Sequence, residues 1–93
     1  MISECDKKTI IDLADKYNVT RLSLFGSSID KDRESHDIDL AVDGLPEDLF
    51  FKFYSELIFK LSKPVDLVDM SRKSRFTEII SKESVDLYDR SAR

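Results

Sequence analysis

The sequence predicts an α+β domain: a small mixed β-sheet of about four strands with helices packed on it. Three observations carry the prediction. Segments of helical period and segments of strand period alternate along the chain. Four short β-rich runs, VTRLSLF, DIDLAV, VDLVDM and VDLY, are each separated by a helical stretch or a turn signal. The length of 93 residues suits a single core and leaves little room for a second.

The elements follow in order. Ser3, with Asp6 three residues on, resembles a helix-capping box, and Ile10, Leu13, Ala14 and Tyr17 recur at helical spacing. These predict a helix over Glu4–Tyr17, closed at Asn18. Val19–Phe25 reads as the first strand, with Leu22 and Leu24 on one face. Gly26-Ser27 ends it, and SSIDKD is a candidate short helix with Ser27 near its N-terminus; RESH reads as loop. Asp37–Val42 is the second strand, closed by the turn pair Asp43-Gly44. Pro46 suits the start of a helix over Glu47–Leu61, which Pro64 closes. Val65–Met70 is the third strand. Ser74 caps a helix running to Lys82 with Phe76, Ile79 and Ile80 inward, and Val85–Tyr88 is the fourth strand. Residues 1–93 form one domain, with a frayed tail from about residue 90.

Composition narrows the function. Hydrophobic residues make up 41% and charged residues 37%, a globular and charge-rich balance. Lys and Arg number 15 against 19 Asp and Glu, a net charge of -4. A broad grip on nucleic acid needs a basic face, so no direct nucleic-acid binding is expected. No apolar run approaches the ~20 residues of a membrane span. The opening MISECDKKTI lacks an apolar h-region, and the single cysteine, Cys5, can form no internal disulfide. The expected location is the cytoplasm.

The chemistry concentrates between Leu24 and Leu40. In a strand, residues i and i+2 share a face about 6.5–7 Å apart. Asp37 and Asp39 therefore lie side by side, with Ile38 and Leu40 turned to the core. Paired carboxylates repel unless a cation sits between them. Mg²⁺ prefers oxygen ligands, commonly one or two carboxylates plus substrate phosphates. Asp66, in the apolar setting of the third strand, completes a three-acid cluster if that strand neighbours the second; Asp69 is its rival. Three such acids equip a site for two-metal phosphoryl or nucleotidyl transfer. Gly26 allows close backbone approach, and Ser27 offers a hydroxyl and an N–H for phosphate. Each feature has a plainer reading: strand acids also protect sheet edges or face solvent, and a Gly-Ser pair is also simply a turn.

The order of these features resembles a known signature. FGS, nine intervening residues, then DIDL, matches the apolar-Gly-Gly/Ser … Asp-apolar-Asp/Glu-apolar pattern of the DNA polymerase β-like nucleotidyltransferase superfamily. The chain most resembles the minimal nucleotidyltransferases (MNT) of prokaryotes over nearly its whole length, with VDLVDM and KESVDLYD as the third-acid and C-terminal strands. The resemblance implies the polymerase β-like fold and catalytic metal ligands at Asp37, Asp39 and Asp66. It implies a nucleotide-binding turn at Gly26 and Ser27, two Mg²⁺ ions and a nucleoside triphosphate, with ATP as the expected substrate. Asp66 would also accept the proton of the attacking hydroxyl. Larger members carry a helical domain for the acceptor, so the acceptor here is expected to be a partner protein. Many MNT proteins resemble the antitoxin half of HEPN–MNT toxin–antitoxin pairs, in which the MNT protein binds a HEPN toxin and can transfer AMP to a tyrosine on it, so the resemblance implies a HEPN toxin as the partner. The pattern departs from many relatives at Ser28, where Arg is common, and in a loop that lacks a second Gly and carries Lys31, Asp32 and Arg33. These departures bear on triphosphate binding rather than on the acids. They keep open a second function, an MNT-type antitoxin that neutralises its toxin by binding alone.

Three weaker signals remain. By strand alternation His36 is expected to point away from the Asp37 face, which favours a surface or loop-bracing residue over a ligand. The SRKSR run, Ser71–Arg75, offers contact to phosphate or an acidic partner but reads better as a solvated loop. On the Glu47–Leu61 helix, Leu49, Phe50, Phe53, Leu57 and Leu61 form one apolar arc with Phe51 and Ile58 at its margin. Phe59 falls on the other side, among Lys52, Ser55 and Glu56, which suits either an isolated exposed ring or a partner or homo-oligomer surface.

Overall fold

The computed structural model describes residues 2–26 and 37–90. The elements are α1 (Glu4–Lys16), β1 (Arg21–Leu24), β2 (Ile38–Asp43), α2 (Phe50–Lys60), β3 (Val65–Asp69), α3 (Arg75–Glu83) and β4 (Val85–Asp89). The four strands form one sheet in the order β3-β2-β1-β4. β1 pairs antiparallel with β2 and β4, whereas β2 and β3 run parallel. Parallel neighbours need a crossover, and α2 supplies it. The mixed α+β architecture expected from the sequence is the one found.

The core lies on one face of the sheet. Ile10, Leu13 and Ala14 of α1 and Phe53 and Leu57 of α2 pack over Leu22, Leu24, Ile38, Leu40 and Val42. Alternation turns every second residue of each strand into this layer. Side-chain hydrogen bonds tie the helices to the sheet: Tyr54 donates to the Val65 carbonyl at 2.7 Å, and Tyr88 to Asp15 at 3.1 Å. Between the helices, the Tyr17 hydroxyl donates a short hydrogen bond to Glu56, and Lys16 pairs with the same carboxylate at 3.1 Å. Burial and Glu56 push the Tyr17 phenol up to about 12. The Tyr17 and Lys16 hydrogen bonds pull Glu56 down to about 2.

Several boundaries move for local reasons. α1 stops at Lys16, because Asn18 adopts a left-handed φ of 56° and Val19 N–H reaches back to the Ala14 carbonyl at 3.1 Å. This is a Schellman exit, and it delays β1 to Arg21. Ser3 accepts from the Asp6 N–H as expected, but Asp6 turns away from the cap and accepts from Ser62 N–H at 3.2 Å and Ser62 Oγ at 2.5 Å. Asp6 thereby staples the start of α1 to the end of α2. β2 begins at Ile38, whose N–H donates to the Pro64 carbonyl, so Asp37 stands one residue before the strand. Pro46 remains extended, and Glu47–Leu49 form a 3₁₀ turn ahead of α2. Gly44 has φ +79°, and a Cβ there would meet Thr20 Oγ1 at 2.1 Å, so the Asp43-Gly44 turn needs its glycine. The expected short helix at SSIDKD, the RESH loop, Ser27, Ser28 and His36 lie outside the described residues.

α3 lies beside the other face of the sheet, capped by Ser74 with a capping box to Thr77. Ile80 is buried as expected, but Phe76 and Ile79 are exposed, and Thr77 takes the inward position. α2 carries apolar side chains on both sides: beyond the core residues, Phe51, Ile58 and Phe59 are exposed, Phe59 to 88%.

Candidate active site

The face of the sheet away from α1 and α2 holds the acids. Asp39 and Asp66 are register partners on the adjacent parallel strands β2 and β3. Directly opposite residues share a face, so the two carboxylates stand on the same side one strand spacing apart. Asp66 is exposed, whereas Asp39 is half-buried. The Asp39 carboxyl is pushed above its ordinary value, first by burial and then by the negative charges of Asp66 and Asp37. Asp37, just ahead of the strand, is thus electrostatically part of the same group.

Asp69 does not belong to it. It stands opposite Val42, three residues after Asp66 and so on the other face. Its Oδ1 accepts from Ser71 N–H at 2.9 Å and from Ser71 Oγ at 2.7 Å, closing the turn after β3. The two candidates for third acid are therefore separated by strand parity.

On the other side of Asp39 stands the end of β1. Phe25 N–H donates to the Asp39 carbonyl at 3.1 Å, and Gly26 follows with φ +62°. A Cβ on Gly26 would lie 2.8 Å from Asp39 Oδ2. The glycine meets two demands at once: a left-handed backbone and room for a carboxylate against it. Phe25, opposite Asp39, carries the exposed Phe76 ring of α3 against it edge-on at 6.5 Å. The order across this end of the sheet is Asp66, Asp39, Phe25, Phe76.

The donor set is all carboxylate, which suits a hard divalent cation such as Mg²⁺. Among the described residues no three acidic, histidine or cysteine side chains are already drawn together as a metal cage. A pair of acids in register with a third beside them fits an ion that completes its shell with water and substrate oxygens. A cation there would oppose both charge contributions that raise Asp39. Among the described residues no helix is long and apolar enough to cross a membrane.

Sequence reasoning missed two features of this half of the molecule. Ser23 donates to Asp86 Oδ1 at 2.7 Å across β1 and β4, and Arg21 reaches Asp89 at 3.6 Å. The β4 register shift that brings Asp86 to the open face, with Leu87 as the extra residue, leaves no trace in VDLYD.

The sequence model of the polymerase beta nucleotidyltransferase family matches residues 8–93, and the chain belongs to that family. Among curated proteins none matches it significantly. Solved structures do. A chain of a toxin–antitoxin complex with AMP-PNP superposes with a TM-score of 0.73 at 25% identity, over 92% of this chain and 75% of that one. A chain of the MntA–HepT toxin–antitoxin complex gives 0.70 at 24% identity, over 97% and 75%. A complex of tri-AMPylated Shewanella oneidensis HEPN toxin with MNT antitoxin gives 0.69 at 25% identity, over 94% and 72%.

Proposed function

We propose that this protein is a Mg²⁺-dependent nucleotidyltransferase that moves AMP from ATP onto a hydroxyl of a partner protein, and that the partner is a HEPN toxin whose antitoxin it is. The observation that carries the proposal is the placement of Asp66 and Asp39 in register, with Asp37 beside them and Gly26 against Asp39. Nucleotide and partner come from the similar structures, which hold AMP-PNP in one case and an AMPylated HEPN toxin in another.

In this reading Asp37, Asp39 and Asp66 would hold two Mg²⁺ ions, and the bound ions would supply charge neutralisation at the triphosphate and a lowered pKa for the attacking hydroxyl. The protein's own residues position the reactants. Gly26 offers its backbone N–H to the phosphates at the end of β1, and Ser27, outside the described residues, takes its phosphate-binding role from the family resemblance. Asp66, the exposed acid at the β3 side, accepts the proton of the incoming hydroxyl. That hydroxyl forms a bond to the α-phosphorus as the bond to pyrophosphate breaks. Most of the acceleration comes from alignment and charge. The exposed Phe51, Ile58 and Phe59 of α2 offer a surface for the partner outside the site.

The test is incubation with α-labelled ATP, Mg²⁺ and the protein encoded by the adjacent gene. Label on the partner, lost in Asp39→Asn, is the expected result. Tight binding without label would support the second reading, neutralisation by contact alone, which the departures at Ser28 and in the following loop favour.

A further inference from the structure

β3 is an edge of the sheet, and it carries the outermost acid, Asp66. The Pro64 carbonyl accepts from Ile38 N–H, and Met70 N–H donates to the Val42 carbonyl. The even-numbered residues of this stretch therefore turn their backbone groups to β2, and alternation turns those of Val65, Leu67 and Asp69 outward. The Val65 carbonyl is taken by the Tyr54 hydroxyl at 2.7 Å. The N–H and C=O of Leu67 and Asp69 face the edge, where the sheet has no further strand. Between Val65 and Asp69 there is no lysine, proline or bulge of the kind that blunts such an edge. α2 lies along the same edge. Tyr54 marks the side that faces it, and Phe51 and Ile58, three residues before and four after, share that side. Phe51 is 77% exposed and Ile58 55%. At the Asp69 end, Glu47, Phe50, Phe51, Asp69 and Arg72 line a hollow of about 310 Å³, with Arg72 and Glu47 paired at 3.5 Å.

The direction of the reaction identifies what uses this edge. The attacking and leaving oxygens of a phosphoryl transfer stand roughly in line. The leaving pyrophosphate lies toward the turn at Gly26, on the β1 side of Asp39. The attacking hydroxyl therefore comes from the β3 side, past Asp66 and over the free edge, whereas the β4 edge lies behind the phosphates. An extended segment paired to β3 runs about 4.8 Å further out. Its residue opposite Asp66 points to the open face, where the acids stand. Its residue opposite Asp69, three along, points to the other face, where Phe50 and Phe51 line the hollow. Backbone pairing then supplies affinity, and the two side chains fix the register. The aromatic lining selects an apolar side chain for the hollow.

We propose that the acceptor segment of the partner protein adds to the free edge of β3 as a fifth strand, with its hydroxyl side chain opposite Asp66 and an apolar side chain, three residues away, in the hollow beside Asp69. The inference rests on the nucleotidyltransferase reading above and names how its acceptor docks. Amide hydrogen exchange of the full chain, followed by NMR alone and with the protein encoded by the adjacent gene, tests it alongside label transfer from α-labelled ATP in Mg²⁺. Complex formation should slow exchange at Leu67 and Asp69 by about tenfold or more. Phe51→Arg and Ile58→Arg, both at exposed positions, should each raise the KM for the partner by about tenfold or more and spare kcat, with circular dichroism checking the fold. Unchanged exchange at Leu67 and Asp69 in a complex that transfers label would overturn the inference. So would a wild-type KM in both folded arginine variants. Lost partner binding in those variants, with no change at either amide in the wild-type complex, would make the groove a seat for a helix and overturn strand addition. A partner left unlabelled by the wild type is a different failure: it removes the nucleotidyltransferase reading, and the acceptor role with it.

Discussion

Replacing Gly26 with alanine separates two demands that the structure places on one residue. The backbone demand is φ +62°, which costs an L-residue about 1–2 kcal/mol. Alanine also narrows the unfolded ensemble, which returns about 0.4–1 kcal/mol. The net loss is about 1 kcal/mol. With a urea m-value of about 1 kcal/mol/M for a small domain, the unfolding midpoint falls by about 1 M. The side-chain demand is separate. The new Cβ would lie 2.8 Å from Asp39 Oδ2, where ordinary contact is 3.4–4 Å, so the carboxylate must swing away. Asp39 then leaves its place beside Asp66, and misplacement on that scale costs about 100-fold in rate. Gly26→Asn is the discriminating control. Asparagine tolerates the left-handed region better, so most of the stability returns, but its Cβ occupies the same point. The expected result is near-normal urea stability with label transfer still lost. Transfer near the wild-type rate in Gly26→Ala, or its recovery in Gly26→Asn, would refute the argument that this glycine exists to admit Asp39.

Asp37→Asn, Asp39→Asn and Asp66→Asn should each abolish label transfer while far-UV circular dichroism stays unchanged; a variant that transfers at full rate in Mg²⁺ clears that residue of the role. The Asp39 carboxyl is held above its usual range, so its ionised form costs stability as pH rises through the folded value. Asp39→Asn should therefore melt no lower than wild type at pH 7 without Mg²⁺, and lose the stabilisation that Mg²⁺ gives the wild type. Phe59→Ser should weaken partner binding, measured by calorimetry, without slowing Mg²⁺-dependent triphosphate binding; unchanged partner affinity and unchanged self-association would leave the exposed ring without a role. Tyr17→Phe should cost stability only inside a pH window. Glu56 is lowered to about 2 from 4.5, so its contribution is present above 4.5 and fades as pH falls toward 2. Tyr17 is raised to about 12 from 10.0, so its contribution is present below 10 and fades as pH rises toward 12. A wild-type minus mutant difference that stays constant below pH 4, in urea melts, would show that the Tyr17 hydrogen bond does not hold Glu56 below its ordinary value.

How far the sequence reveals such a site depends on how far apart its parts are along the chain. Alternation of period 2 is local, so DIDL could be sorted into core and open faces without any knowledge of the sheet. The helix caps at Ser3 and Ser74 are equally local. What separates Asp66 from Asp69 is not local. VDLVD offers two acids, and the choice follows from which residue faces Asp39, a consequence of the parallel pairing made by the α2 crossover. The resemblance to the family favoured the same acid, but strand parity gives the physical reason. α3 shows the limit in the other direction. Phe76, Ile79 and Ile80 look like one inward face on a helical wheel, yet only Ile80 is buried. The helix stands off the sheet over a polar cleft instead of sealing against it, so it buries Thr77 and leaves Phe76 beside Phe25. A hydrophobic wheel assumes that the surface opposite is apolar. Here that surface carries Ser23, Asp43 and Asp86, and the failed expectation marks the side of the sheet that the core does not use.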